Sequence, residues 1–143
     1  MSELNKIALK IVSSGKGILA ADESTATMTK RLESVKVESS EHNRLKFRSI
    51  LFSSSGMKDC IGGVILYDET IKQNYKNKTI SELISESGAI PGIKVDTGAK
   101  KLAKSQDEKI TEGLDGLRDR LKKYYQLGAR FTKWRAVYVI SES

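Results

Sequence analysis

Four ionisable side chains stand where charge is least expected, at the far ends of short apolar runs. Asp22 follows Gly17-Ile18-Leu19-Ala20-Ala21, Lys94 lies in Gly92-Ile93-Lys94-Val95, and Lys133 and Arg135 close the run from 129 to 135. An unpaired charge in an apolar strand is expensive, so each calls for a partner or a ligand. Side chains alternate along a strand, which puts Lys133 and Arg135 on one face with Ala129, Phe131 and Val137, about 6 to 7 Å apart. Two like charges at that spacing are tolerated where an anion or a reacting carbonyl docks between them, or where Asp22 or Asp96 pairs with them. Lys94 and Asp96 also share a face, as do Asp22, Ala20 and Ile18. If the strands are parallel neighbours in chain order, Asp22, Lys94, Lys133 and Arg135 converge at one end of a barrel. A carboxylate among cations stays ionised, and a lysine among cations is pushed toward its nucleophilic form. Such a group suits proton transfer on a carbonyl substrate that carries phosphate. Ser24 and Thr27, near a helix N-terminus, add hydrogen-bond donors for that phosphate.

The elements that must position these residues alternate between two periods. Leu4, Ile7, Ala8, Ile11 and Val12 mark an amphipathic helix that stops at Ser13-Ser14-Gly15, and a strand over 17–21 comes next. Thr25 or Thr27 caps a helix running to about Ser34, with Arg31 near its middle. After a polar stretch over 36–40, a further helix carries Leu45, Ser49 and Phe52 on one row, with Phe47, Ile50 and Leu51 beside it. Arg44 and Arg48 lie on a different face, four residues apart. By position alone, Arg31 and Arg44 read as solvated. The second strand spans 61–67, and Gly62-Gly63 at its start implies a close backbone approach or a bulge. Asp68 and Glu69 either close that strand or cap the helix after it. Residues 74–78 read as a polar loop, and Thr79-Ile80-Ser81-Glu82 has capping-box spacing ahead of a helix that ends at Gly88. Pro91 introduces the third strand, residues 100–109 read as a charged surface loop, and Leu114, Leu117, Leu121 and Tyr124 mark a helix ending at Gly128. The fourth strand comes after it, and Val137-Tyr138-Val139-Ile140 is again strand-like.

The expected fold is therefore α/β: about four parallel strands alternating with helices, the N-terminal half of a (β/α)8 barrel. A closed barrel needs about 250 residues, and this chain has 143. It reads as a single partial domain over 1–143, cut after its fourth strand. A strand left at an open edge is a liability, so the chain is expected to be a fragment or to be covered by a second half-barrel.

Composition narrows the chemistry. Cys60 is the only cysteine and His42 the only histidine, so a disulfide, a Cys/His zinc cluster and a Ser-His-Asp triad are all excluded within one copy. No metal and no cofactor is expected; carboxylates, amines, guanidinium groups and hydroxyls must suffice. Cys60 itself reads as a small buried hydrophobe, and Trp134 as a core or interface residue. The net charge of +7 is spread as lysines among carboxylates, which reads as a solvated surface, and no nucleic-acid-binding module is present. No apolar run is long enough for a membrane span, and the N-terminus lacks a signal-peptide core, so a cytoplasmic protein with no membrane partner is expected.

At these residues the sequence resembles class I (Schiff-base) fructose-1,6-bisphosphate aldolase. The strings that carry the likeness are GKGILAADEST at 15–25, IGGVILYDET at 61–70, PGIKVDTG at 91–98, TEGLDGLRDR at 111–120 and GARFTKWR at 128–135. The resemblance implies a (β/α)8 barrel, usually a homotetramer, that cleaves fructose 1,6-bisphosphate into dihydroxyacetone phosphate and glyceraldehyde 3-phosphate without metal. It implies that Asp22 and Lys133 are catalytic, the first in hydroxyl-proton transfer and the second around the carbinolamine. It makes Lys94 and Arg135 cationic substrate contacts, and Ser24, Thr27, Arg31 and Arg44 phosphate- or substrate-binding residues. The family's Schiff-base lysine and its principal acid/base glutamate lie on strands of the second half, outside this chain. Thr97 stands where a lysine is common, and Ala26-Thr27 where Gly-Ser is common. The chain alone is thus expected to bind phosphate weakly and not to turn over substrate; a non-catalytic phosphate-binding or interaction half-barrel is the alternative.

Overall fold

The computed structural model describes residues 2–140. Helix α1 (Glu3–Ile11), capped by the Ser2 side chain, leads through one 3-10 turn, Ser13–Gly15, into β1 (Gly17–Ala21). Next come α2 (Thr25–Ser34), α3 (Glu41–Phe52) and α4 (Met57–Cys60), then β2 (Ile61–Leu66) and α5 (Asp68–Ile71). A hairpin of β3 (Asn74–Tyr75) and β4 (Lys78–Thr79) precedes α6 (Ile80–Glu86) and β5 (Ile90–Lys94). A second hairpin, β6 (Gly98–Lys101) with β7 (Lys109–Glu112), is followed by α7 (Leu117–Gln126) and β8 (Phe131–Lys133).

The four longer-range strands pair in parallel in the order β1-β2-β5-β8. This is the expected sheet, with connections that carry helices. Its register sets Ala20 beside Ile65, Ile65 beside Gly92, and Gly92 beside Phe131. One face carries Ala21, Val64, Leu66 and Ile93, all buried, against Phe52, Met57, Ile71, Ile80, Ile84 and Tyr124 from the helices. Each large apolar side chain buried there contributes about 1.5 to 3 kcal/mol, so this layer is the main source of stability. On the other face Ile18 is about half exposed, and the Phe131 ring lies over Gly63 and Gly92, whose missing side chains leave it room.

Local chemistry explains most boundaries. Thr79 and Glu82 form the capping box in full, each side chain meeting the other's backbone N–H. The α2 cap is Ser24, one residue ahead of Thr25 and three ahead of Thr27, the two threonines expected, and its Oγ accepts from the Thr27 N–H. Pro91 lies inside β5, at its second residue, before pairing with β8 begins at Gly92. Leu114 stands outside α7, largely exposed, because the chain turns at Gly116 with φ +66° before the helix starts.

Several expectations are corrected. Residues 74–78 are a hairpin, turned by Lys76 and Asn77 in the left-handed region (φ +50° and +64°), with Tyr75 packed on the core. Residues 100–109 are not all loop: Lys100, Lys101 and Lys109 belong to the second hairpin, which pairs Gly98 with Glu112, and only 102–108 join its strands. Residues 137–140 form no strand: Tyr138 and Ile140 are almost fully exposed, and among the described residues none pairs with them. Cys60 is exposed at the end of a single helical turn. Arg44 and Arg48 are buried, on the same side of α3 as Ser49 and Phe52, while Ile50 and Leu51 face outward.

The tightest constraint in the fold is at Gly62, where a methyl group would stand 1.9 Å from the Ile11 carbonyl oxygen. Gly62→Ala is expected to cost about 3 kcal/mol, because backbone of α1 cannot give way as a side-chain tip does. Gly56→Ala, with nothing nearer than 4.0 Å, should be close to neutral. Urea unfolding of the two variants checks this, and equal stabilities would contradict the packing described.

Candidate active site

The carboxyl ends of β1, β5 and β8 open into a cleft of about 960 Å³. Asp22 follows β1, Lys94 ends β5 with Asp96 two residues on, and Lys133 ends β8. Parallel pairing brings these ends to one rim, as the alternation of apolar and ionisable residues implied. Lys133 Nζ donates to Asp22 Oδ2 at 2.7 Å, joining residues 111 positions apart. Lys94 Nζ lies 2.7 Å from Asp96 Oδ1 and donates to the Asp96 main-chain oxygen at 2.9 Å. Arg135 lies past the end of β8, where its N–H donates to Asp96 Oδ2 at 3.3 Å and the residue lines the cleft. The two lysines are thus each held by a carboxylate, and both pairs face the same opening. Burial pushes the Asp96 carboxyl up, but the hydrogen bond and charge of Lys94, the Arg135 N–H and the charge of Lys133 outweigh it, leaving it below the ordinary range.

The wall beside Asp22 is the start of α2. Ser24 and Thr27 line the cleft there, their hydroxyls 3.2 Å apart, with the N-terminus of a ten-residue helix behind them. Arg31, on the same helix, lines the cleft and is ion-paired with Glu23. Of the eight residues expected at the site, seven line this opening.

Arg44 is the exception. Its Nε and Nη2 meet Glu69 Oε1 and Oε2 at 2.9 and 2.6 Å, and its Nη1 donates to the Ser39 main-chain oxygen at 2.6 Å. That bidentate grip turns the guanidinium away from the cleft. The hydrogen bond from Arg44 holds the Glu69 carboxyl below its ordinary range, against an opposing push from burial. Its position in the sequence leaves Glu69 open between strand end and helix cap; neither role anticipates a carboxylate seating two buried arginines.

The far wall has no counterpart among the expected site residues. Tyr124 Oη donates to Asp68 Oδ1 at 2.8 Å, Lys72 pairs with Asp68 at 2.7 Å, and Arg120 donates to the main-chain oxygens of Val95 and Gly113. Tyr124 is legible as a helix-face residue, but a phenol partner 56 positions earlier leaves no local signal. Among the described residues no three His, Cys, Asp or Glu side chains come together to hold a metal ion. The groups that line the cleft are carboxylates, amines, guanidinium groups and hydroxyls.

The carboxyl rim of a parallel (β/α) sheet is where the barrel enzymes carry their catalytic residues. Comparison identifies which of these enzymes the chain resembles: a family model described as glycolytic, fructose-bisphosphate aldolase class-I, matches residues 3–143, and the chain belongs to that family. It is 50% identical over 139 residues to fructose-bisphosphate aldolase 2 of Plasmodium berghei, covering 96% of this chain and 38% of the relative. It is likewise 50% identical over 143 residues to the probable class 1 aldolase of Xanthomonas axonopodis pv. citri, covering 99% and 43%. With fructose-bisphosphate aldolase 6, cytosolic, of Arabidopsis thaliana it shares 51% over 139 residues, covering 96% and 39%. The fold matches a solved fructose-bisphosphate aldolase from Plasmodium falciparum, in complex with TRAP and a small-molecule inhibitor. That match has a TM-score of 0.93 and 46% identity, over 97% of this chain and 40% of that one. The chain thus spans about two fifths of the length of these relatives.

Glu69 and Asp96 are both held below their ordinary range, so their contribution is present above the unfolded-state value and is lost as pH falls through the folded one. Stability to urea is expected to be level above about pH 5 and to fall as pH drops through about 4 and below. Glu69→Gln leaves two buried arginines unpaired and should cost about 3 kcal/mol at neutral pH. Urea titrations from pH 3 to 7 measure both, and an unchanged neutral-pH stability in Glu69→Gln would contradict the network.

Proposed function

We propose that this chain supplies the proton-handling and anion-holding rim of a class I fructose-bisphosphate aldolase. Its reaction is the reversible cleavage of fructose 1,6-bisphosphate to dihydroxyacetone phosphate and glyceraldehyde 3-phosphate. The observation that carries the reading is the contact between Asp22 and Lys133, made beside Lys94, Asp96 and Arg135 in one cleft.

In a Schiff-base aldolase an amine condenses with the substrate ketone, and the iminium accepts the electron pair released as the carbon–carbon bond breaks. The family likeness assigns that amine, with the principal acid/base glutamate, to the length of the relatives that this chain does not span. The residues here do the rest. Asp22 takes the hydroxyl proton whose loss starts cleavage, and Lys133, hydrogen-bonded to it, assists the oxygen that leaves at the carbinolamine stage. Lys94 and Arg135 hold the substrate's negative charge. Ser24, Thr27 and the α2 N-terminus receive a phosphate, with Arg31 at its edge. Arg44 supports the site from behind. The complete enzyme is a cytoplasmic homotetramer acting in glycolysis without metal or organic cofactor.

Borohydride trapping tests this on two proteins: this chain, and this chain joined to the remaining length of one of its relatives. With fructose 1,6-bisphosphate, the joined protein should be trapped and should turn over, and this chain alone should not be trapped. Asp22→Asn in the joined protein should lower kcat by about 10²-fold or more while trapping persists. Trapping by this chain alone would place a nucleophile within it. A joined protein that binds the sugar phosphate but is never trapped would overturn the aldolase reading in favour of a binding role.

A further inference from the structure

Beneath the turn that carries Asp22 and Ser24 lies a charge that the cleft does not use. Arg48, on α3, is fully buried. Its Nη2 donates to the main-chain oxygen of Glu23 at 2.5 Å, and its Nη1 stands 3.6 Å from Glu69 Oε1. Its guanidinium lies 5.9 Å from the centre of the Tyr67 ring, within cation–π range. Nε and Nη1 find no hydrogen-bond partner among the described residues. Taking a guanidinium out of water with two donors unmet is costly, and an apolar side chain of similar length would fill the same space without that penalty. The one strong bond Arg48 makes is therefore the informative one. It ends on the backbone between the carboxylate that meets Lys133 and the hydroxyl that caps α2. Glu23 is also gripped from its other end, where its carboxylate takes Arg31. The residue between Asp22 and Ser24 is thus clamped at both main chain and side chain, by two different helices.

We propose that Arg48, seated by Glu69, is a positioning residue: it fixes the Glu23 carbonyl, and through it aims Asp22 at Lys133 and holds Ser24 at the helix start. What the turn is aimed for rests on the aldolase reading; the clamp itself does not. Lysine cannot replace it, because a point donor cannot reach the Glu23 oxygen and remain beside Glu69 as a planar fork does.

Backbone 15N relaxation on the chain, with Arg48→Met and Arg48→Lys, tests the clamp. In the parent chain Glu23 and Ser24 should have order parameters near 0.85, the range of rigid backbone. In Arg48→Met they should fall below about 0.6, the flexible range, while Lys94 and Lys133 keep theirs. Arg48→Lys, which keeps the charge beside Glu69 and so secures a folded comparison if Arg48→Met does not fold, should show a smaller fall at the same two residues. Order parameters at Glu23 and Ser24 that stay at the parent value in the folded variants would overturn the proposal. So would a loss spread evenly over all four strands, which marks a merely structural role. Titration of the same samples with inorganic phosphate, followed at Ser24 and Thr27, should show binding weakened about tenfold in Arg48→Lys. Relaxation needs no ligand, so it decides the clamp even if the parent chain takes up no phosphate, a result that would count against the proposed function alone.

Discussion

The contact on which this molecule turns is the ion pair between Asp22 and Lys133. The two residues sit at the ends of β1 and β8, the two outer strands of a four-stranded sheet. Three inter-strand steps span about 14 Å in a flat sheet, beyond the combined reach of an aspartate and a lysine. A 2.7 Å contact therefore requires the sheet to curl, so that its rim closes toward itself. Once it curls, Lys94, in register with Lys133, and its partner Asp96 have to face the same space. The site is in this sense a consequence of curvature, and the curvature is marked by one charge pair.

The rest of the fold can be understood as what allows that curl. On the inner face, Gly63 and Gly92 leave room for the Phe131 ring, so the strands close over a single aromatic group. At the opposite end Gly62 lets the last turn of α1 lie directly against β2. The outer face packs its apolar residues under the helices, and α3 turns buried arginines inward against Glu69 and the Glu23 carbonyl. Apolar packing supplies most of the stability; the buried charges give the turn after β1 its position. Both are needed to hold a carboxylate and an amine within hydrogen-bond distance.

How much of this was legible in the amino-acid order depended on whether the signal was local. The alternation within Ala129 to Arg135 placed Lys133 on the inner face, the pairs Lys94/Asp96 and Asp22/Ala20 did the same for their strands, and Thr79 with Glu82 announced a helix start that the structure has. Gly62-Gly63 marked a close approach or a bulge, and both are present: Ile11 backbone lies against Gly62, and the β1–β2 register skips that residue. The two hairpins escaped because their strands are two and four residues long, too short for a period to show, and one turns on Lys76-Asn77 without glycine. Arg44 and Arg48 escaped for a different reason. A charged pair spaced four apart on a helix normally faces water, and only Glu69, distant in the chain, makes burial tolerable. The strand-like run at 137–140 misled in the opposite sense, since β-branched and aromatic residues cannot supply a neighbouring strand.

The most direct test of the central claim is to titrate isotopically labelled chain with fructose 1,6-bisphosphate and follow the backbone amides of Ser24, Lys94, Lys133 and Arg135. Resonances from these four, drawn from three separate strand ends, should shift together along one saturation curve, while those of the β6–β7 hairpin lysines stay still. Shifts confined to the exposed lysines, or separate curves for the two edges of the sheet, would show that the rim does not act as one site.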